Sequence, residues 1–197
     1  MGMAHDFVGT NNINLFEPVG FHGSRLKGKK FLATPSYVSV KVTHLINLIY
    51  HPADNRLLSY EIGNNNEKIE PKWYIPIIPM VLINGGKGVG SFFGFNTLNY
   101  SPFGIIKNLR RMLNDEQPRE MIPWFKNFKG KIESCPNSKF KCSRKVTILK
   151  NCIVKFSEFR LNYSVEDYIK KVLKPLCKKN FNGIKKFKIH FSEKYKL

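Results

Sequence analysis

Four glycines fall within six residues at positions 85–90, in the stretch "NGGKGVGSFF" that follows the proline-broken apolar run "WYIPIIPMVLI". A glycine in an ordered element costs about 0.5–1 kcal/mol relative to alanine, because it gives up the most backbone freedom on folding. A chain that concentrates glycines at one point needs positive φ there, or needs something to approach the backbone closely. The residues between them are Lys87 and Val89, one cation and one β-branched apolar side chain.

Two phosphate-cradling motifs can be tested against this stretch. A P-loop requires GxxxxGK[ST], but here Lys87 precedes the later glycines and the spacing fails. A dinucleotide fingerprint requires GxGxxG opening a helix, and the following "SFFGFNTLNYSP" begins no helix. Two readings stay open. One is a tight turn with Val89 packed inward. The other is a loop pressed against a polyanion, with Val89 wedged between stacked bases at a cost of a few kcal/mol that wrapping of bent DNA can offset.

Charge favours the second. The 197 residues carry a formal charge of +19. Residues 1–125 hold 13 Lys and Arg against 9 Asp and Glu, a net +4, whereas residues 126–197 hold 20 against 5, a net +15. Such a field attracts nucleic acid, since each neutralised phosphate releases a counterion. An anionic membrane surface is the rival partner, and a lysine-rich solvated surface the plainest alternative. A generic RNA-binding protein would want an RNP-type aromatic motif, which is not found.

With 42% apolar and 13% aromatic residues the chain is globular, long enough for one core or two small ones. The longest apolar run, 75–83, is too short to span a bilayer and contains Pro76 and Pro79, so no membrane role is expected. The first residues lack a secretory pattern, and Asp6 stands where a myristoylated Gly2 would want Ser or Thr. A soluble intracellular protein is expected. Cys135, Cys142, Cys152 and Cys177 form no CxxC pair, so no metal site is expected and the thiols should be reduced.

Periodicity predicts a helix from about Val40, with Val42, Leu45, Ile46 and Ile49 on one face and Pro52 ending it. "NRLLSYEIGNNNEKIEPKWYIP" predicts strand, Asn-rich turn and strand. "SPFGIIKNLRRMLNDEQP" predicts a helix with Ser101 as N-cap and Pro102 at its first position. Further on, "KVTILKNCIVKFSEF" and "IKKFKIHFSEKYKL" alternate as strands, the last with a basic stripe at Lys186, Lys188 and His190. "YSVEDYIKKVLKPL" between them is helical, capped by Ser164. The fold class is α+β.

Five blocks in order carry a resemblance: "AHDFVGTNNINLFEPVGFHGSRLKGKK", "ATPSYVSV", "EPKWYIPIIPMVLINGGKGVG", "IIKNLRRMLNDEQP" and "PWFKNFKGKI". The sequence resembles the breakage-reunion core of eukaryotic type IIA DNA topoisomerases over about residues 3–176. The resemblance implies a truncated winged-helix portion at 1–98, holding the nucleophile and the glycine loop, and a basic, partial tower-like mixed α/β region at 99–197. It implies that Tyr37 attacks a DNA phosphodiester and stays joined to the 5′ phosphate. A phenol, with a pKa near ~10, leaves more readily than an alcohol on religation, so such a break is reversible. Val89 stands where the family places an intercalating isoleucine. The implied DNA contacts are Arg25, Lys27, Lys29, Lys30, Lys87, Val89, Lys126 and Lys129.

The same resemblance implies duplex DNA as partner, a nuclear location, and Mg²⁺ and ATP as cofactors bound by modules outside these residues. No acidic Toprim metal site, ATPase region or dimer-closing coiled coil is found in the sequence. A second protomer or another polypeptide is therefore the expected source, and these residues alone are expected to be inactive. There are departures. Ser36 replaces an arginine beside the nucleophile, Lys87 replaces an acid, and Phe93 replaces a tryptophan. Loss of one transition-state stabiliser commonly costs about 10²–10³ in rate. The alternative is a non-catalytic DNA-binding remnant.

Overall fold

A computed structural model of the chain describes residues 1–28, 34–136, 139–149, 153–161, 163–178 and 188. Lys29, Lys30, Cys152 and, Lys188 aside, the strand expected over 184–191 lie outside the described residues. The fold is mixed α+β. Among the described residues its strands form five separate two-stranded antiparallel sheets.

The first sheet joins β1 (Phe16–Val19) to β2 (Ser39–Val42), with Phe16 opposite Val42 and Val19 opposite Ser39. This corrects the helix expected from Val40. Helix α1 is confined to Ile46–Ile49. Val40 and Val42 are β-branched at period two, which suits a pleated surface, and β1 supplies the partner. Thr43 then turns the chain. Its amide and its hydroxyl both donate to Leu15 O, at 3.2 and 3.1 Å. Pro52 opens a short 3₁₀ stretch, Pro52–Leu57, instead of ending a long helix.

β3 (Tyr60–Ile62) and β4 (Lys68–Pro71) form the expected Asn-rich hairpin, with Asn66 in the left-handed region at φ 61°. α2 (Met80–Asn84) leads into β5 (Gly86–Val89), which pairs with β6 (Gly94–Thr97). α3 (Pro102–Leu113) begins at Ser101 as expected. The Ser101 side chain makes no capping bond, and its carbonyl accepts the Ile105 amide at 3.1 Å.

The central core is thin: Ala4, Leu15, Ile49, Ile83 and Ile105 are buried, Ile83 completely. Buried amides hold it together. Asn12 Nδ2 donates to Ile83 O, Tyr100 O and Trp124 O at 2.9, 3.1 and 2.9 Å, and Asn12 Oδ1 accepts the Lys126 amide at 2.9 Å. Asn84 answers from α2, its Oδ1 accepting the amides of Asn12 and Ile13, both at 2.9 Å. Each backbone group satisfied this way would otherwise carry a desolvation penalty of about 1–3 kcal/mol. The stretch "TNNIN" is thus the knot between the first residues, α2 and the segment after α3.

The basic third begins with β7 (Lys131–Cys135) paired to β8 (Lys139–Ser143), then β9 (Lys145–Leu149) paired to β10 (Ile153–Glu158). α4 (Val165–Tyr168) runs through a π turn, Ile169–Leu173, into α5 (Lys174–Lys178). Ser164 Oγ accepts the Asp167 amide at 3.1 Å, the expected cap. Pro175 has no N–H for the preceding turn, and a local wide turn accommodates that loss. Tyr168 closes a second cluster, its ring 5.3 Å from that of Phe159 and 6.0 Å from that of Phe156.

Candidate nucleic-acid interface

The glycine segment is a protruding hairpin. It is not the strand–loop–helix that a phosphate-binding loop requires. Its root is fixed because Asn84 is tied to residues 12–13 and Ile83 is fully buried. Gly85 has φ +70°, and a Cβ there would stand 2.8 Å from Thr97 O. Only glycine fits both demands. Further out, Gly88 lies opposite Phe95, whose ring occupies the space a Cβ on Gly88 would take.

This packing leads to a first expected result. Gly88→Ala should destabilise the protein by about 1–3 kcal/mol, the usual range for forcing a methyl into filled space. Urea unfolding would measure it. An unchanged midpoint would mean that the Phe95 ring moves aside freely.

Alternation along β5 puts Lys87 and Val89 on the face away from Phe95. Val89 is 87% exposed, so of the two readings of this stretch the inward-packed turn does not describe the fold. The turn closes with the Gly90 amide donating to Phe93 O at 2.7 Å. Phe92 and Phe93, neither singled out as a contact from sequence, are 90% and 83% exposed.

Tyr37 ends a one-turn 3₁₀ segment, Pro35–Tyr37, with its amide bonded to Thr34 O at 2.9 Å. Pro35 presets the turn. The Tyr37 side chain is 84% exposed, and its hydroxyl bonds to none of the described residues. It is free to meet another molecule.

Arg25 is placed otherwise than expected. Its guanidinium turns inward, where Nη1 donates to Tyr163 O at 3.1 Å and Nη2 to Phe159 O and Arg160 O at 2.8 and 3.1 Å. Nη2 also reaches Glu158 Oε1 at 3.4 Å, with side chains only 14% and 9% exposed. Glu158 Oε2 accepts the Lys129 amide at 3.2 Å. The planar fork of Arg25 thus bolts the loop before Tyr37 to the end of β10, and its donors are taken by this chain's own oxygens. The expectation of a phosphate contact at Arg25 is corrected on that ground.

The lysines are displayed differently. Lys27 is exposed, with Nζ 5.7 Å from the Phe21 ring centroid. Lys87 and Lys129 are exposed. Lys126 makes a long surface pair to Asp6 at 3.8 Å, a contact that solvent screens to little effect. Among the described residues no three His, Cys, Asp or Glu side chains converge as a metal site, so these residues do not fit a magnesium ion. No described helix is long and apolar enough to cross a membrane.

The DNA gyrase/topoisomerase IV family model matches residues 1–197. This chain belongs to the type IIA DNA topoisomerases. The topoisomerase sequence is similar to "DNA topoisomerase 2" of Drosophila melanogaster, 42% identical over 193 residues, which is 98% of this chain and 13% of that protein. "DNA topoisomerase 2-alpha" of Homo sapiens is 38% identical over 186 residues, 94% of this chain and 12% of that protein. The Plasmodium falciparum topoisomerase II DNA-binding, cleavage and re-ligation domain superposes with a TM-score of 0.82 and 35% identity. That match covers 91% of this chain and 24% of that one. The chain therefore corresponds to the DNA-binding and cleavage region of topoisomerase II and spans a small part of the length of these relatives.

Proposed function

We propose that this topoisomerase chain grips duplex DNA and, joined by metal-binding and ATPase modules held elsewhere, opens it transiently through Tyr37. The observation that carries this is the pairing of two outward side chains on rigid supports, the Tyr37 hydroxyl and the Val89 tip, in a chain of charge +19. Residues 1–98 would be the partial winged-helix unit and 99–197 the partial tower. The nucleus would be its place of action. Lys27, Lys87, Lys126 and Lys129, with Lys29 and Lys30, would hold phosphates.

In the step itself the phenolic oxygen of Tyr37 attacks phosphorus, its proton passing to a base. The O3′ leaves as the 3′ hydroxyl, and the 5′ phosphate remains on tyrosine. Attack by the 3′ hydroxyl reverses it, with the phenol as leaving group. Magnesium and ATP belong to the family's chemistry, but no described residues fit them, so no step is drawn through either.

A non-catalytic DNA-binding remnant is the second reading, favoured by Ser36 beside the nucleophile. Both readings need DNA to be bound and bent. Removing two methyls in Val89→Ala forfeits about 0.8 kcal/mol each, enough to lower the bent population roughly tenfold. Affinity, which rests on lysine–phosphate contacts, should change less and should fall steeply with salt. Energy transfer across an end-labelled duplex reads the bend, and a titration reads the affinity. Equal loss of both would count against insertion, and salt-independent binding against the whole reading.

A further inference from the structure

The β5–β6 hairpin carries more exposed apolar surface than one wedge requires, and its two aromatic classes are used differently. Phe95 is consumed internally, its ring lying over Gly86 and Gly88. Phe93 faces Gly90 across the turn, yet the nearest atom to a Cβ on Gly90 is Phe93 O at 3.5 Å, with no ring atom within 4 Å. Phe93 thus does not cover its glycine as Phe95 does. By strand alternation Phe93 sits on the Phe95 face and Val89 on the opposite face with Lys87, while Phe92 occupies the turn itself. The tip therefore shows an apolar side chain in each of three directions, with a cation behind it.

We infer that Phe92 and Phe93 form a nucleobase-stacking site at this tip, selective for bases that are unpaired or easily unstacked. The inference rests on the reading that the hairpin meets DNA and adds what it recognises there. The occupant is a base and not an apolar protein surface because of charge. Lys87 stands two residues from Val89 on one face, the chain as a whole is at +19, and a phosphate chain is the complement of both. A phenyl ring stacks on any base, so no sequence preference is expected. By alanine substitution such stacking is typically worth about five- to a hundredfold in affinity per base. In a fully paired duplex the protein must first open a step. At a gap or bulge that work is already done.

The test compares three probes of equal length with the full chain: a paired duplex, the same duplex with a two-nucleotide gap carrying 2-aminopurine, and a gap of abasic residues. Wild type is expected to bind the base-containing gap about tenfold more tightly than the paired duplex, with quenching of 2-aminopurine. The abasic gap should lose most of that preference. Phe92→Leu with Phe93→Leu keeps the apolar bulk and removes the π faces. That double variant should bind paired duplex as wild type does, without the gap preference. Equal wild-type binding to the paired duplex and the base-containing gap overturns the stacking site while leaving DNA gripping intact. So does a double variant that keeps the gap preference, or one whose only change is in oligomeric state, which would mark the tip as a protein contact. Failure to bind any probe overturns the DNA reading, and the stacking site with it.

Discussion

Tyr37→Phe is expected to abolish every covalent protein–DNA adduct while leaving duplex affinity unchanged. The substitution deletes one oxygen from a side chain that is almost fully exposed and bonds to none of the described residues, so neither fold nor groove should register it. The experiment uses end-labelled duplex, Mg²⁺ and a Toprim-bearing partner, followed by denaturing electrophoresis. Wild type should leave labelled DNA attached to protein, and Tyr37→Phe none. Ser36→Arg in the same assay should raise the yield, by about 10²–10³ if a charge-neutralising donor is what Ser36 lacks. No adduct from either wild type or Ser36→Arg would sink the enzymatic reading in favour of a DNA-binding remnant. An adduct surviving Tyr37→Phe would place the nucleophile elsewhere.

The second large effect concerns stability. Arg25 and Glu158 are a buried pair whose remaining donors and acceptors are nearly all satisfied by backbone groups. Removing either partner strands the other charge away from water, which costs about 3–5 kcal/mol. Arg25→Ala and Glu158→Ala should each lose that much in urea unfolding. A joint replacement by Arg25→Met and Glu158→Leu should lose much less than the sum, because no lone charge is left behind. Because the loop from Ser24 to Gly28 is anchored here, amide exchange at residues 34–38 should also rise in the single variants. If both single variants kept wild-type stability, the guanidinium would have to be reaching solvent, and its role as a DNA contact would be open again.

Local rules made part of this fold legible. α3 was readable because Ser101, Pro102 and the apolar spacing agree with one another. The Ser164 cap and the β3–β4 turn are likewise settled within a few residues. Lost were features whose partner lies far along the chain. Val40 and Val42 fit a helical stripe as well as an alternating one, and only β1, over twenty residues earlier, decides between them. Arg25 reads as a free cation in "GSRLKGKK" because Glu158 is 133 residues away. Asn12 looks like an ordinary polar loop residue until the carbonyls of Ile83, Tyr100 and Trp124 surround it. At the candidate site, Tyr37 and Val89 were named through the family resemblance. That Phe95 and not Val89 fills the glycine face was beyond reach, since periodicity does not say which side a hairpin buries.

Two-stranded sheets leave a ladder of unpaired amides and carbonyls along both outer borders, an invitation to lateral stacking with other copies. In the basic third those borders are studded with Lys131, Lys139, Lys141, Lys145 and Lys155. Mutual repulsion between them acts as a guard against fibre-like association. Ionic strength shrinks its reach to about 8 Å at physiological values. Concentrated salt thus withdraws that guard at the same time as it loosens any hold on phosphates, so purification in high salt to strip nucleic acid carries a built-in risk of precipitation.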